Sequence, residues 1–258
     1  MTDQATDTEH HKVLAEGVDD EPVESNRRLF SGNAQVVVAL LAMLYAAFHM
    51  VALYGVSIER WTGIDIGFLP NLPIETWNFR IVHIAGALAL GLLIYSARVF
   101  EKDDSAASNR MFVFASAALA VPALVAGITA IRFASLIQSG TLPEMGGLTT
   151  WAAFQGTEIY QQEVFWFGLP LLAATFGALA LGWFERRARH QVAMSDLVLV
   201  LCSGVVAIYL IAIYGTAARN SVGTPFVPIG VAFAATAGAA MILELTRRVA
   251  GLALVVIT

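Results

Sequence analysis

The chain has 258 residues, 57% of them apolar and 14% charged, with a mean hydropathy of +0.69. These proportions exclude an ordinary water-soluble domain and indicate an integral membrane protein. The net charge of −5 says little, because Asp3, Asp7, Glu9, Glu16, Asp19, Asp20, Glu21 and Glu24 all cluster near the N-terminus.

Residues 1–30 are polar and unpatterned, which predicts a disordered cytoplasmic tail, and they lack the basic-then-apolar pattern of a cleaved signal peptide. Residues 31–258 read as one all-helical membrane domain. Six runs are long and apolar enough to cross a bilayer, roughly 34–57, 81–100, 111–133, 164–184, 197–216 and 225–243. Helices satisfy their own backbone groups in lipid, whereas a membrane barrel would need a period-two polarity that "LVLVLCSGVVAIYLIAIY" does not have.

The first run carries His49 in "AAFHMVALYG" and the second His83 in "NFRIVHIAGAL". Both are placed toward the outer half of their spans, where they could face one another, either as hydrogen-bonding groups between helices or as axial ligands of a haem. Pro122 in the third run and Pro170 in the fourth predict kinks rather than breaks. Between these two runs lies a connection of about 30 residues. There Trp151, Phe154 and Ile159 alternate with Gln155, Glu158 and Gln161 as in a helix lying along the membrane surface. The fifth run holds the one cysteine, Cys202, so no intramolecular disulfide and no Cys cluster can form. In the sixth, Gly230, Ala234 and Gly238 recur every four residues, as Ala178 and Gly182 do in the fourth, and such small-residue faces suit close helix contact with a partner.

Lys12, Arg27, Arg28, Arg98, Lys102, Arg110, Arg186, Arg187, Arg189, Arg247 and Arg248 fall on one side of these spans, against Arg60, Arg80, Arg132 and Arg219 on the other. That bias predicts cytoplasmic ends. Trp61, Trp77, Trp151 and Trp166 fall near the outer border and Trp183 near the inner one. No phosphate-binding glycine loop or His-Glu-x-x-His helix occurs. The spans show no mid-depth Asp or Glu and no helix broken by Gly and Pro, the features at which carriers bind ions and substrates. An accessory subunit fits better than an enzyme or a self-sufficient carrier, and no nucleic-acid partner is expected.

The stretch "LELTRRVAGLAL" resembles the Leu-Glu-x-Thr-Arg-Arg-x-x-Gly segment of fused membrane proteins in tripartite ATP-independent periplasmic (TRAP) transporters served by TAXI-type binding proteins. The matching residues are Leu243, Glu244, Thr246, Arg247, Arg248 and Gly251. "FHMVALYG" is similar to the end of that family's first helix through Phe48, His49 and Gly55, with Val51 where tyrosine is common. "FRIVHIAGALALGLLIY" is similar to its Arg-x-x-His helix through Arg80, His83 and Tyr95, with Ser96 in place of proline. "SDLVLVLCSGVVAIYL" and the Gly-Thr-Pro at 223–225 resemble later pieces in the same order.

The resemblance implies the small, Q-like scaffold region of such a transporter in a bacterial or archaeal inner membrane. It would brace a separate large subunit that moves organic acids delivered by a periplasmic TAXI-type protein. Sodium coupling and substrate contacts would belong to that large subunit, so no cofactor, metal or catalytic residue is expected in this chain. Two spans, 111–133 and 164–184, are additional to the family's minimal four-span region. Glu244, Arg247, Arg248 and Gly251, with the Gly230, Ala234 and Gly238 face, are the expected partner interface, and the ten residues after Arg248 are expected to lie against or lead into the large partner. Phe48, His49, Arg80 and His83 belong to the resemblance without an assigned role. The rival reading is a haem-binding membrane anchor of a redox enzyme.

Overall fold

The computed structural model describes residues 26–54, 76–100, 109–138, 158–214 and 229–251. Its helices are α1 (Gly32–Tyr54), α2 (Thr76–Ile94), α3 (Arg110–Ala118), α4 (Ala120–Gln138), α5 (Glu158–Gln162), α6 (Leu169–Gly182), α7 (Met194–Tyr214) and α8 (Ile229–Ala250), with a π-helical segment, Glu163–Gly168, joining α5 to α6. Five stretches are long and apolar enough to cross a membrane: Gly32–Met50, Arg110–Leu136, Tyr160–Gly182, Met194–Ile213 and Ile229–Ala250. The second expected span, 81–100, corresponds to the shorter apolar helix Asn78–Ile94. Among the described residues the only β pairing is one isolated bridge, Arg27 to Tyr95.

Both prolines act where the sequence placed them. Pro122 has no N–H for the carbonyl four residues back, at Ala118, and the rod is interrupted by a single turn residue, Leu119, between α3 and α4. Pro170 likewise leaves the Trp166 carbonyl without its usual α-helical donor, and the chain enters α6 through the π segment. The Thr129 hydroxyl of α4 lies 3.0 Å from that carbonyl and 2.9 Å from the Val125 carbonyl, so its one proton serves both. A neighbouring helix thus satisfies a backbone group that lipid cannot.

Helix α7 is the centre of the bundle and packs against α2, α4, α6 and α8. Its buried side chains Val198, Leu199, Cys202, Val205 and Tyr209 meet Leu92 of α2, Ala126 and Phe133 of α4, Leu171 and Ala178 of α6, and Ala237 and Met241 of α8 in one core. Cys202 is a packing residue, fully buried and free. Helix α1 stands apart: it packs chiefly on α2, and none of its apolar window is buried. Trp166 and Trp183, near opposite ends of α6, remain exposed, as rings at membrane borders do.

Several boundaries differ from the sequence reading: the second helix ends at Ile94 rather than near 100, and the helix of the third run continues to Gln138. The tail expected to run to residue 30 is ordered by Asn26, because the Ser96 N–H bonds the Asn26 carbonyl and the Arg28 N–H bonds the Ile94 carbonyl, each at 2.8 Å. The last span, expected to end at 243, continues as helix through Arg247 and Arg248 to Ala250. The fourth begins earlier than 164 and takes Glu163 into the bundle. Trp151, Phe154 and most of the expected surface helix, like residues 1–25, 223–225 and 252–258, lie outside the described residues.

A short connection fixes the start of α7. Glu185 is buried, and its two oxygens accept from the N–H groups of Met194 (2.8 Å) and Ser195 (2.9 Å), two of the orphan donors of the helix N-terminus. Burial pushes the Glu185 carboxyl up, but the Ser195 and Met194 N–H groups outweigh it and leave the carboxyl below its ordinary value. A depressed carboxyl contributes stability that is present above its unfolded value and is lost as pH falls through the folded one. Glu185→Gln should therefore cost about 1–2 kcal/mol at neutral pH, in the range of a lost helix cap. It should also flatten the acid limb of a thermal-unfolding series in detergent, and an unchanged acid limb would refute the assignment.

Candidate functional site

The charged residues of the Leu-Glu-x-Thr-Arg-Arg stretch form a clasp at the end of α8, while the Thr246 hydroxyl bonds back to the Ile242 carbonyl of its own helix. Arg248, 4% exposed, donates through Nε to Glu244 Oε1 (2.8 Å) and through Nη1 to Asp196 Oδ1 (2.7 Å) and the Tyr95 carbonyl (2.9 Å). Arg247 forks onto both oxygens of Glu244 at 2.8 Å and reaches the Ala97 carbonyl at 2.9 Å. Its guanidinium carbon lies 5.3 Å from the centre of the Trp183 ring, within cation–π range. The N–H of Gly251 returns to the Arg247 carbonyl at 3.0 Å, and its φ of +85° ends the helix in the left-handed form that glycine favours.

The far side of the clasp is Arg28, 3% exposed. It pairs with Asp196 Oδ2, and its Nη1 donates to the carbonyls of Leu92 (2.9 Å) and Leu93 (2.8 Å) in the last turn of α2. Those carbonyls have no partner within their own helix, so a cation there satisfies both the acceptors and the helix dipole. Asp196 sits in the first turn of α7, the favourable end for an anion. Asn26 closes the ring by donating to the Arg248 carbonyl. One carboxylate thus joins the N-terminal segment, the end of α2, the start of α7 and the end of α8.

Most residues of the expected partner interface pack within the chain. Gly230, Ala234, Glu244 and Arg248 are buried within the chain, and Gly238 is half-buried with Val206 of α7 beside it. The small residues admit α7: a Cβ on Gly230 would collide with the Tyr209 hydroxyl. Arg247 is half-buried in the clasp, and of the expected set Gly251 alone is exposed. The outward flank of α8 carries Ile242, Leu243 and Val249 instead.

A further buried carboxylate lies at the opposite end of the bundle. Glu163, 1% exposed, opens the π segment and accepts from the Tyr209 hydroxyl at 2.6 Å and from the Gly230 N–H at 3.2 Å. Phe167 stacks on Tyr209 with ring centres 4.1 Å apart. Glu163 therefore acts as a cap for the N-terminus of α8 supplied by another helix. Residue 163 immediately precedes the expected 164–184 span, which is why it escaped a search for mid-depth acids. A π turn beside a buried acid was not readable from periodicity.

The two histidines meet. His49 Nε2 lies 2.6 Å from His83 Nδ1, and the Tyr45 hydroxyl lies 2.9 Å from the same Nδ1 and 2.8 Å from the His83 carbonyl. His49 Nδ1 lies 2.7 Å from the Tyr45 carbonyl, an acceptor only, so that nitrogen carries the proton and Nε2 offers a lone pair. His83 must then donate from Nδ1, and the Tyr45 proton goes to the His83 carbonyl. Phe48 and Phe79 flank the group with ring centres 5.4 Å from that of His49, while Arg80 is exposed one turn before His83.

A haem between two histidines would hold their nitrogens about 4 Å apart, twice a metal–imidazole bond of about 2 Å, with the macrocycle in the gap. Nitrogens in direct contact at 2.6 Å do not fit that plate. No protein-family model matches the chain, and no curated protein or solved structure matches it significantly.

Proposed function

We propose that this chain is the small scaffold subunit of a TRAP-type secondary transporter for organic acids, bracing a separate large transport subunit that receives its substrate from a periplasmic binding protein. The observation that carries this reading is the Leu243–Gly251 stretch, whose resemblance to the family was drawn on residue types alone. Each of its charged residues has a partner. Glu244 receives both arginines, Arg248 reaches Asp196, Arg247 covers Trp183, and Gly251 turns the chain out of the helix. A helix end locked in this way is suited to a static brace, because it fixes the angle at which the following residues leave the bundle.

On this reading the large subunit contacts the outward flank of α8, at Ile242, Leu243 and Val249, and the residues after Gly251. The arginines orient that surface from behind. Deleting residues 249–258 should leave the bundle inserted and monodisperse, since Arg248 keeps its partners, while recovery of a large polytopic membrane subunit in mild detergent falls at least about tenfold. Undiminished recovery would overturn the assignment of this surface. Arg248→Gln makes a poor test of docking because it disrupts the clasp itself. Sodium-driven uptake of an organic acid in vesicles should require both subunits and the binding protein, and uptake by this chain alone would refute the scaffold role.

A further inference from the structure

We propose that the groove between α4 and the α5–π segment binds one anionic two-chain phospholipid, with its phosphate on Arg132 and its acyl chains on either side of Trp166. The groove has a volume of about 500 Å³, within the range of sites that take a small organic ligand, and its lining includes Val125, Ile128, Arg132, Gln162 and Trp166. It opens on the outward flank of the bundle: Ile128 is 66% and Trp166 61% exposed, and Arg132 is exposed beside them. A second hollow, of about 550 Å³, adjoins the first across Gln162 and Trp166 and is lined also by Gln161 and Phe165. Two hollows flanking one indole suit the two chains of a single phospholipid under a shared headgroup, and concave walls offer a chain more contacts than a flat helix flank.

The register of the two helices orders the polar and apolar groups. The Thr129 hydroxyl lies 3.0 Å from the Trp166 carbonyl, so these residues stand at one level. One turn toward the end of the bundle opposite the clasp, α4 brings Arg132 and α5 brings Gln162 into the groove, whereas one turn the other way α4 brings Val125. From Val125 to Arg132 the helix rises about 10 Å, which lies within the roughly 15 Å of hydrocarbon in one leaflet, and the long arginine stem carries its charge farther outward. A guanidinium presents paired donors that match a phosphate. One cation matches a lipid of one net negative charge, such as phosphatidylglycerol, better than a doubly charged one. Glu163, next in the chain after Gln162, does not oppose the anion, because it is buried with its two oxygens engaged by the Tyr209 hydroxyl and the Gly230 N–H. Both walls belong to the spans additional to the family's minimal region, so the site stands apart from the scaffold reading.

The test is native mass spectrometry of the full chain, extracted in mild detergent, stripped of lipid and titrated with phosphatidylglycerol or phosphatidylcholine. One phosphatidylglycerol per chain should bind ahead of the rest, and more tightly than either phosphatidylcholine or the one-chained lysophosphatidylglycerol. Arg132→Gln should lower phosphatidylglycerol affinity about fivefold, the effect of one basic group near a lipid surface, and abolish the preference over phosphatidylcholine. Ile128→Trp should weaken both lipids by filling the groove. Both substitutions fall on exposed positions, so the bundle is preserved. Arg110→Gln, at the far end of the rod formed by α3 and α4, should leave the tight lipid in place. Equal affinity for the two lipids in the wild-type chain, or undiminished phosphatidylglycerol binding in Arg132→Gln, would overturn the site. Loss of a co-purifying membrane protein in Ile128→Trp, with lipid binding intact, would overturn it as well by making the groove a protein interface.

Discussion

Asp196→Ala is expected to destabilise the folded chain by about 3–5 kcal/mol, the range for removing one partner from a buried ion pair. The loss is large because Asp196 serves two cations at once, Arg28 and Arg248, and the side chains on all sides are 1% exposed or less. Burial already lowers the Arg28 guanidinium, and Asp196 is the principal group opposing it. Without that carboxylate two desolvated charges face each other across the gap. Unfolding in a denaturing detergent, followed by helical content, should register the change as an early loss of structure. A triple variant with Arg28→Met, Asp196→Leu and Arg248→Met should recover most of that stability, since apolar side chains of similar volume can replace a buried ionic group at little cost. Wild-type stability in Asp196→Ala would show that the clasp is hydrated and weak.

Gly230→Ala should cost about 2–4 kcal/mol. The added methyl meets the Tyr209 hydroxyl, and moving a ring packed against Phe167 and Phe133 carries the overpacking penalty of about 1–3 kcal/mol. The displaced ring also surrenders its bond to Glu163, and hydrogen bonds to charged groups contribute about 1.5–3 kcal/mol. Tyr209→Phe isolates the second contribution, because it removes the bond while keeping the ring. It should cost less than Gly230→Ala in the same unfolding measurement. If Tyr209→Phe proved the costlier of the two, the glycine would be tolerant and the close approach of α7 and α8 unimportant.

What could be read in advance depended on the range of the interaction. Apolar runs report burial in lipid directly, so the spans were legible, and Pro122 and Pro170 marked the irregular turns because a missing N–H is a local fact. The meeting of His49 and His83 was also accessible, since each depth could be estimated along its own helix. Arg28 and Asp196 were different. They are separated by 168 residues, each sits at a span border where charge is ordinary, and nothing local distinguishes a buried arginine from a topological anchor. Glu244 and Arg248 lower the average hydropathy of their window, which made α8 look shorter than it is, although they are one turn apart on a single buried face. Glu163 was hidden by a boundary, because the π turn that carries it inward has no compositional signature.

The ring closed by Asn26 and Arg248 joins residues 222 positions apart, and this has a consequence for biogenesis. Translation proceeds at about 5–20 residues per second, so the N-terminal segment emerges on the order of 10–45 s before the helix that completes its contacts. Through that interval Arg28 has neither Asp196 nor Arg248 beside it, and of its partners in the folded chain only the α2 carbonyls of Leu92 and Leu93 have been made. Helix α1 is thus joined early to α2, through the Tyr45–His49–His83 contacts, but locked late, when α7 and α8 bring Asp196 and Arg248 to the N-terminal segment.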